Sequence, residues 1–281
     1  MKLVKTIKEV RETVAEWKKS GLSVGFVPTM GFLHEGHQSL IRTAGENDKV
    51  VVSIFVNPIQ FCPGEDFEAY PRDIERDMKK CVEAGADLIF APEASEMYAD
   101  DFSTHIDMTG PTEELCGKSR PGHFSGVCTV VSKLFNIVTP DKAYFGQKDA
   151  QQLAVIRRMV RDLSINIEIV GCPIIREEDG LAKSSRNTYL SADERSAALV
   201  ISRSLAEGRK MLENGEKDLK KVSDTIISLI EKEPMAKIDY VKTVDADTII
   251  PKEKASGRTL VAAAVYIGKT RLIDNFIYEE A

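Results

Sequence analysis

An alternation of two periodicities constrains the fold of this chain more than any other feature of it. Short runs rich in β-branched and aromatic residues take turns with segments of helical spacing. "LSVGFVP" (22–28) reads as a buried strand and "GHQSLIRTAGEND" (36–48) as a helix. "KVVVSIFVN" (49–57) is a second strand, "DIERDMKKCVEAGA" (73–86) a helix and "DLIFAP" (87–92) a third strand. Val127, Val130, Val131, Leu134 and Val138 mark a helix in 124–138. A strand at 141–147, a helix from Asp149 to Leu163 and a strand within 166–177 complete the series. Such alternation predicts an α/β architecture: a parallel sheet with helices on both faces. After a polar stretch at 177–190, the order changes to two helical segments (192–214, 217–232) and three β-like runs (237–245, 258–268, 270–278). That order predicts a smaller C-terminal α+β domain. The expected division is 1–178 and 179–281, with 177–190 as the hinge.

Composition narrows the function classes. The 281 residues carry a net charge of −6, which argues against broad nucleic-acid binding while leaving room for a local anion pocket. No apolar run reaches the length of a membrane span. "MKLVKTIKEVRETVAEWKK" (1–19) has an amphipathic helical pattern with acidic residues and lacks the apolar core of a signal peptide. The five cysteines are scattered, with no CxxC pair. A reduced, cytoplasmic protein without structural zinc is expected.

In a parallel α/β sheet, ligands bind beyond the carboxyl ends of the strands. "PTMGFLHEGH" (28–37) falls there. Gly31 permits an unusual turn, and a helix opens at Gly36 and His37, where unpaired N–H groups attract anions. His34 and His37 add hydrogen-bond donors and positive charge suited to phosphate. The competing reading, two loop histidines packed by chance, is weaker for a pair at a strand's end, and the spacing is not that of a zinc protease. "YFGQKDAQQ" (144–152) ends another strand in the same way. Lys148 there suits a phosphate and Asp149 a magnesium ion, unless both belong to an ordinary charged helix start. "KSSRN" (183–187) is either a phosphate clamp or a solvated linker. "FVNPIQF" (55–61) places two amides, Asn57 and Gln60, among apolar groups, where amides read carboxylates and hydroxyls; turn chemistry is the alternative for Asn57.

Taken together, "PTMGFLHEGH", "FVNPIQF", "YPRD", "SRPGHFSGVCTVV", "FGQKDAQQ" and "SSRN" resemble, in order, the motifs of the pantothenate synthetase (pantoate–β-alanine ligase) family, within the HxGH nucleotidyltransferase superfamily. The resemblance implies a Rossmann-like nucleotide- and pantoate-binding domain and a C-terminal lid. It implies that ATP activates pantoate as an adenylate and that β-alanine then displaces AMP. By the same resemblance, His34, His37, Lys148 and Arg186 are catalytic, with His37 the proton donor. Met30, Gly31, His34, His37, Gly146, Gln147, Lys148, Asp149, Ile175, Lys183, Ser184, Ser185 and Arg186 would contact ATP. Gln60, Gln152 and Asn57 would bind pantoate, Gln60 and Tyr70 β-alanine, and Asp77 and Asp149 a Mg2+ ion. The implied partners are the three small molecules, with neither nucleic acid nor membrane, and the implied assembly is a homodimer through the first domain. Lys183 departs from the family's usual Met and Cys62 from a frequent Gly; the Lys183 backbone is expected to serve the nucleotide still, its ammonium to add a phosphate contact, and Cys62 to be tolerated.

Three other readings compete. A nucleotidyltransferase that keeps the nucleotide in its product is disfavoured by the glutamine pair and "FVNPIQF". A tRNA synthetase is disfavoured by the short, acidic chain. A silent nucleotide-binding regulator has no reason to hold His34, His37, Lys148 and Arg186 together.

Overall fold

The computed structural model describes residues 1–280. Its contacts form two compact units. The first comprises Met1–Met108, Arg120–Gln147 and Val155–Pro173; the second comprises Thr109–Ser119, Lys148–Ala154 and the chain from Ile174 on.

The first unit is built on a six-stranded parallel sheet of order β1-β4-β3-β2-β5-β6. Its strands are β1 (Lys2–Val4), β2 (Val24–Thr29), β3 (Lys49–Ile54), β4 (Leu88–Phe90), β5 (Lys142–Gly146) and β6 (Glu168–Cys172). Helices α1 (Ile7–Lys19), α2 (Glu35–Ala44), α3 (Ile74–Ala84), α4 (Ala94–Met97) and α6 (His123–Val138) connect them, and α7 (Ala150–Asp162) begins in the second unit and ends in the first. Strand residues alternate between two covered faces, which is why the runs are apolar throughout. Val27, Val50, Val52 and Ile89 pack with Leu40, Ile41 and Cys81 of α2 and α3. Phe26 meets Phe135 of α6 edge to face at 6.4 Å. The α/β expectation is met. The chain's start differs from the amphipathic helix expected over 1–19: Lys2–Val4 pairs with Leu88–Phe90 as an edge strand, and the helix begins only after Thr6. Thr6 and Glu9 form a reciprocal capping box that fixes that start.

The second unit holds α5 (Leu115–Ser119), α8 (Ala192–Ala197), α9 (Leu199–Glu213), α10 (Leu219–Ile230) and an antiparallel sheet β7-β8-β9 (Ala236–Asp245, Arg258–Ile267, Thr270–Glu279). On one sheet face, Val261, Ala263, Val265, Leu272 and Phe276 pack with Ile201, Leu205, Val222 and Ile226 of α9 and α10. On the other, Leu260, Ala262 and Ile277 pack with Leu115, Ala150 and Ala154. No helix among the described residues is long and apolar enough to cross a membrane.

Candidate active site

β2 lies between β3 and β5, so the chain order reverses on its two sides. That is the switch point at which a crevice opens beyond the strand ends. The end of β2 leads into residues 30–34 and the end of β5 into Gly146 and Gln147.

Gly31 has φ +85° and Phe32 φ +50°. A Cβ at Gly31 would lie 2.9 Å from Asp77 Oδ2 and 3.0 Å from Ile54, so only glycine fits this turn. Asp77, 1 % exposed on α3, accepts the N–H of Phe32 at 2.7 Å and of Leu33 at 2.6 Å, one on each oxygen. Burial raises its carboxyl above the ordinary range, and the two backbone donors pull the other way. The Arg76 guanidinium lies 4.0 Å from the centre of the Phe32 ring.

The two histidines cap their own helix. Gly36 N–H donates to His34 Nδ1 at 3.1 Å, and His34 N–H donates to His37 Nδ1 at 3.2 Å. The rings lie 4.0 Å apart, tilted by 33°. A neutral imidazole whose Nδ1 accepts carries its proton on Nε2, so the backbone selects the tautomer with an N–H on the far edge of each ring.

Asn57 precedes and Gln60 ends a tight 3-10 turn, Pro58–Gln60, and both are buried. Asn57 Nδ2 donates to Gln60 Oε1 at 2.9 Å and to Gly126 O at 3.2 Å, while Tyr98 Oη donates to Asn57 Oδ1 at 2.7 Å. Gln60 Nε2 donates to Met30 Sδ at 3.3 Å, joining Met30 to the amides. Gly126 lets α6 approach: a Cβ there would lie 2.4 Å from Ile59 O. His123 Nδ1 meets Gln60 O at 2.9 Å and its Nε2 meets Arg120 Nη1 at 2.8 Å. Arg120 can only donate, so the Nδ1 side carries the proton given to Gln60 O. Arg120 forks onto Glu65 at 2.5 and 2.7 Å. Cys62, in the same loop, donates its N–H to Glu65 at 3.0 Å and its thiol to Pro121 O at 3.4 Å. Tyr70 is buried against Phe61, with ring centroids 5.9 Å apart. Arg120, His123 and Glu65 escaped the sequence reading, although "SRPGHF" was among its motifs.

The turn Gln147–Asp149, whose last two residues belong to the second unit, leads into α7. Lys148 Nζ lies 3.9 Å from the carboxylate of Asp149, which is exposed. Gln151 is a strut: it accepts Cys116 N–H at 2.9 Å and donates to Pro111 O and Glu114 O. Gln152 is half-buried. Residues 174–183 form a hairpin-like turn in which Lys183 N–H donates to Ile175 O at 2.9 Å and Arg176 bridges Ala182. The Lys183 ammonium pairs with Glu177 at 2.8 Å. Ser184 caps the turn Ser185–Tyr189 by accepting Arg186 N–H at 3.3 Å, so Ser184, Ser185 and Arg186 sit at the start of one short helical turn.

Of the two carboxylates expected to hold Mg2+, Asp77 does not fit: both of its oxygens are engaged by backbone N–H groups in a buried setting. Asp149, exposed beside a single cation, fits as one ligand. No three His, Cys, Asp or Glu side chains among the described residues gather as a metal cage.

A family model described as pantoate-beta-alanine ligase matches residues 2–277. A protein of Ruminiclostridium cellulolyticum named pantothenate synthetase is 61 % identical over 278 residues, 99 % of each chain. One of Clostridium botulinum with the same name is 60 % identical over 280 residues, 99 % of this chain and 100 % of its own. The crystal structure of pantothenate synthetase from Thermus thermophilus superposes with a TM-score of 0.92 at 45 % identity, covering 98 % of this chain and 99 % of its own. That of the Francisella tularensis pantoate-beta-alanine ligase, complexed with beta-gamma ATP and beta-alanine, gives 0.78 at 36 % identity, covering 99 % and 97 %.

Proposed function

This chain belongs to the pantoate–β-alanine ligase family, and on that premise we propose that it joins pantoate to β-alanine through a pantoyl-adenylate. The enzyme is an amide-forming ligase of pantothenate biosynthesis that uses ATP. In the first step the pantoate carboxylate attacks the α-phosphorus and pyrophosphate leaves. In the second the β-alanine amine attacks the acyl carbon, loses a proton, and AMP leaves. An ionised carboxylate is a poor acyl electrophile, and the adenylate divides one hard step into two.

The observation that carries the mechanism is the self-capped histidine pair. Backbone donors fix both rings in the tautomer with Nε2–H, beside a helix N-terminus, and such preorganised donors stabilise charge growing on a phosphoryl group. His34 and His37 are assigned to the ATP phosphates, with His37 the proton donor and Met30 and Gly31 on the nucleotide. Gly146, Gln147 and Ile175 are assigned to the nucleotide as well. Lys148 stabilises the α-phosphate, and Ser184, Ser185 and Arg186 hold pyrophosphate. Gln60, Gln152 and Asn57 read pantoate, and Gln60 and Tyr70 β-alanine. The hydrogen bonds that hold Gln60 support this reading, since a fixed amide can present a defined donor and acceptor; Asn57 spends both amide hydrogens on Gln60 and Gly126, so its part is to hold Gln60 and to accept at Oδ1. Lys183 contributes its backbone, its ammonium being balanced by Glu177. Mg2+ arriving with ATP would neutralise phosphate charge and would need few protein ligands; Asp149 is the residue that would hold it. We assign residues 1–178 as the nucleotide- and pantoate-binding domain, 179–281 as the lid, and a cytoplasmic homodimer as the working form.

The test is mass spectrometry of the protein incubated with ATP, Mg2+, pantoate and β-alanine. Pantothenate and AMP in equal amounts are expected. Product that retains the nucleotide would identify a nucleotidyltransferase instead.

A further inference from the structure

Strand β9 carries Asp274 and Asn275 side by side, each 4 % exposed. Neighbours on a strand face opposite sides of the sheet, and the packing follows suit. Ala263, the β8 partner of Asp274, belongs to the core under α9 and α10. Ala262, the partner of Asn275, belongs to the cluster with Ala150 and Ala154 at the start of α7.

Each of the two residues reaches a different segment of the second unit to which phosphate is assigned above. Asp274 accepts both arms of the Arg176 guanidinium, at 2.7 and 2.9 Å. Arg176 also donates to Gly180 O at 3.0 Å and bridges Ala182, so it braces the turn that delivers residues 183–186. Asn275 Nδ2 donates to the main-chain carbonyl of Lys148 at 2.8 Å. The N–H of Asn275 donates to Asp274 Oδ1 at 2.7 Å, linking the two anchors.

An aspartate and an amide this deeply buried are costly to place, and apolar residues of similar volume serve stability as well or better. What a forked guanidinium–carboxylate pair and a directed amide supply is geometry. We propose that Asp274 and Asn275 are positioning residues for adenylation: through Arg176 and the Lys148 carbonyl they hold Lys148 and the Ser184–Arg186 turn in one fixed register. The inference rests on the assignment of Lys148 and Arg186 to the ATP phosphates.

A double-mutant cycle on the full-length enzyme tests it. Asn275→Ala should lower the rate of pantoate-dependent adenylation by about 10- to 100-fold, the cost of a displacement on the order of 1 Å, with KM for β-alanine unchanged. In a Lys148→Ala background the same substitution should change the rate by no more than about twofold, because sites acting through one group do not add. Asp274→Asn should behave likewise against Arg186→Ala. Asn275→Asp, nearly isosteric but without the donor, should reproduce the coupled loss, and it serves where the alanine variant is unstable. Losses that multiply in full in both backgrounds would show a merely structural role and overturn the proposal. So would Asn275→Ala and Asn275→Asp enzymes with parental rates. Full activity in Lys148→Ala alone would instead overturn the underlying phosphate assignment.

Discussion

The carboxylate of Asp77 accepts the backbone N–H of Leu33 at 2.6 Å, across 44 residues of sequence, while its other oxygen accepts Phe32. The strained turn before the histidines is therefore held from α3. Asp77→Ala should leave two buried donors unpaired at about 1–3 kcal/mol each. We predict a matching drop in unfolding free energy in urea and a large loss of adenylation. The Mg2+ concentration for half-maximal activity should stay put, because the carboxylate is a strut. A strong rise in the Mg2+ requirement with unchanged stability would restore Asp77 as a metal ligand.

His34 caps α2, and the proposed mechanism adds a second, separable task as a phosphate donor. His34→Ala should cost about 1 kcal/mol of stability, as loss of an N-cap does, together with ~10²–10³ in adenylation rate. His34→Asn should recover the cap and not the rate. Equal recovery of both by asparagine would mean that the imidazole acts only on the helix.

Lys183 departs from the Met that the family resemblance leads one to expect, and its ammonium is paired with Glu177. Restoring Met should alter KM for ATP by less than about fivefold, the scale of a partly exposed ion pair. A much larger rise would show the ammonium meeting the nucleotide directly.

Glu65 joins the loop after Gln60 to α6 through Arg120. Burial alone would raise its carboxyl, but the Arg120 guanidinium and the Cys62 N–H outweigh this and hold it below the usual glutamate range. A depressed folded-state value stabilises the fold above the unfolded value, about 4.3. That stability is lost as pH falls through the folded value. Unfolding curves between neutral and acid pH should therefore show a shallower acid loss for Glu65→Gln than for the parent. Parallel curves would contradict the pairing.

Much of the fold is legible along the chain because its strands are buried on both faces. Runs such as "KVVVSIF" then declare themselves without any partner. β1 does not, since three residues leading into an amphipathic helix carry no period of their own. The residues assigned to phosphate, and the amides, were readable as motifs at strand ends. Their supports were not: Asp77–Leu33, Arg120–Glu65, Arg176–Asp274 and Asn275–Lys148 join residues 44 to 127 positions apart. Nor could spacing show that His34 and His37 turn their Nδ1 atoms to the backbone, because that depends on the φ of Gly31 and Phe32.

Isotope exchange tells directly whether pantoate is adenylated before β-alanine takes part. The enzyme is incubated with ATP, Mg2+ and labelled pyrophosphate, with and without pantoate, and without β-alanine. Label should enter ATP only when pantoate is present, and adding β-alanine should drain the exchange toward AMP and pantothenate. Exchange that strictly requires β-alanine would contradict the account, because the two steps would then be one.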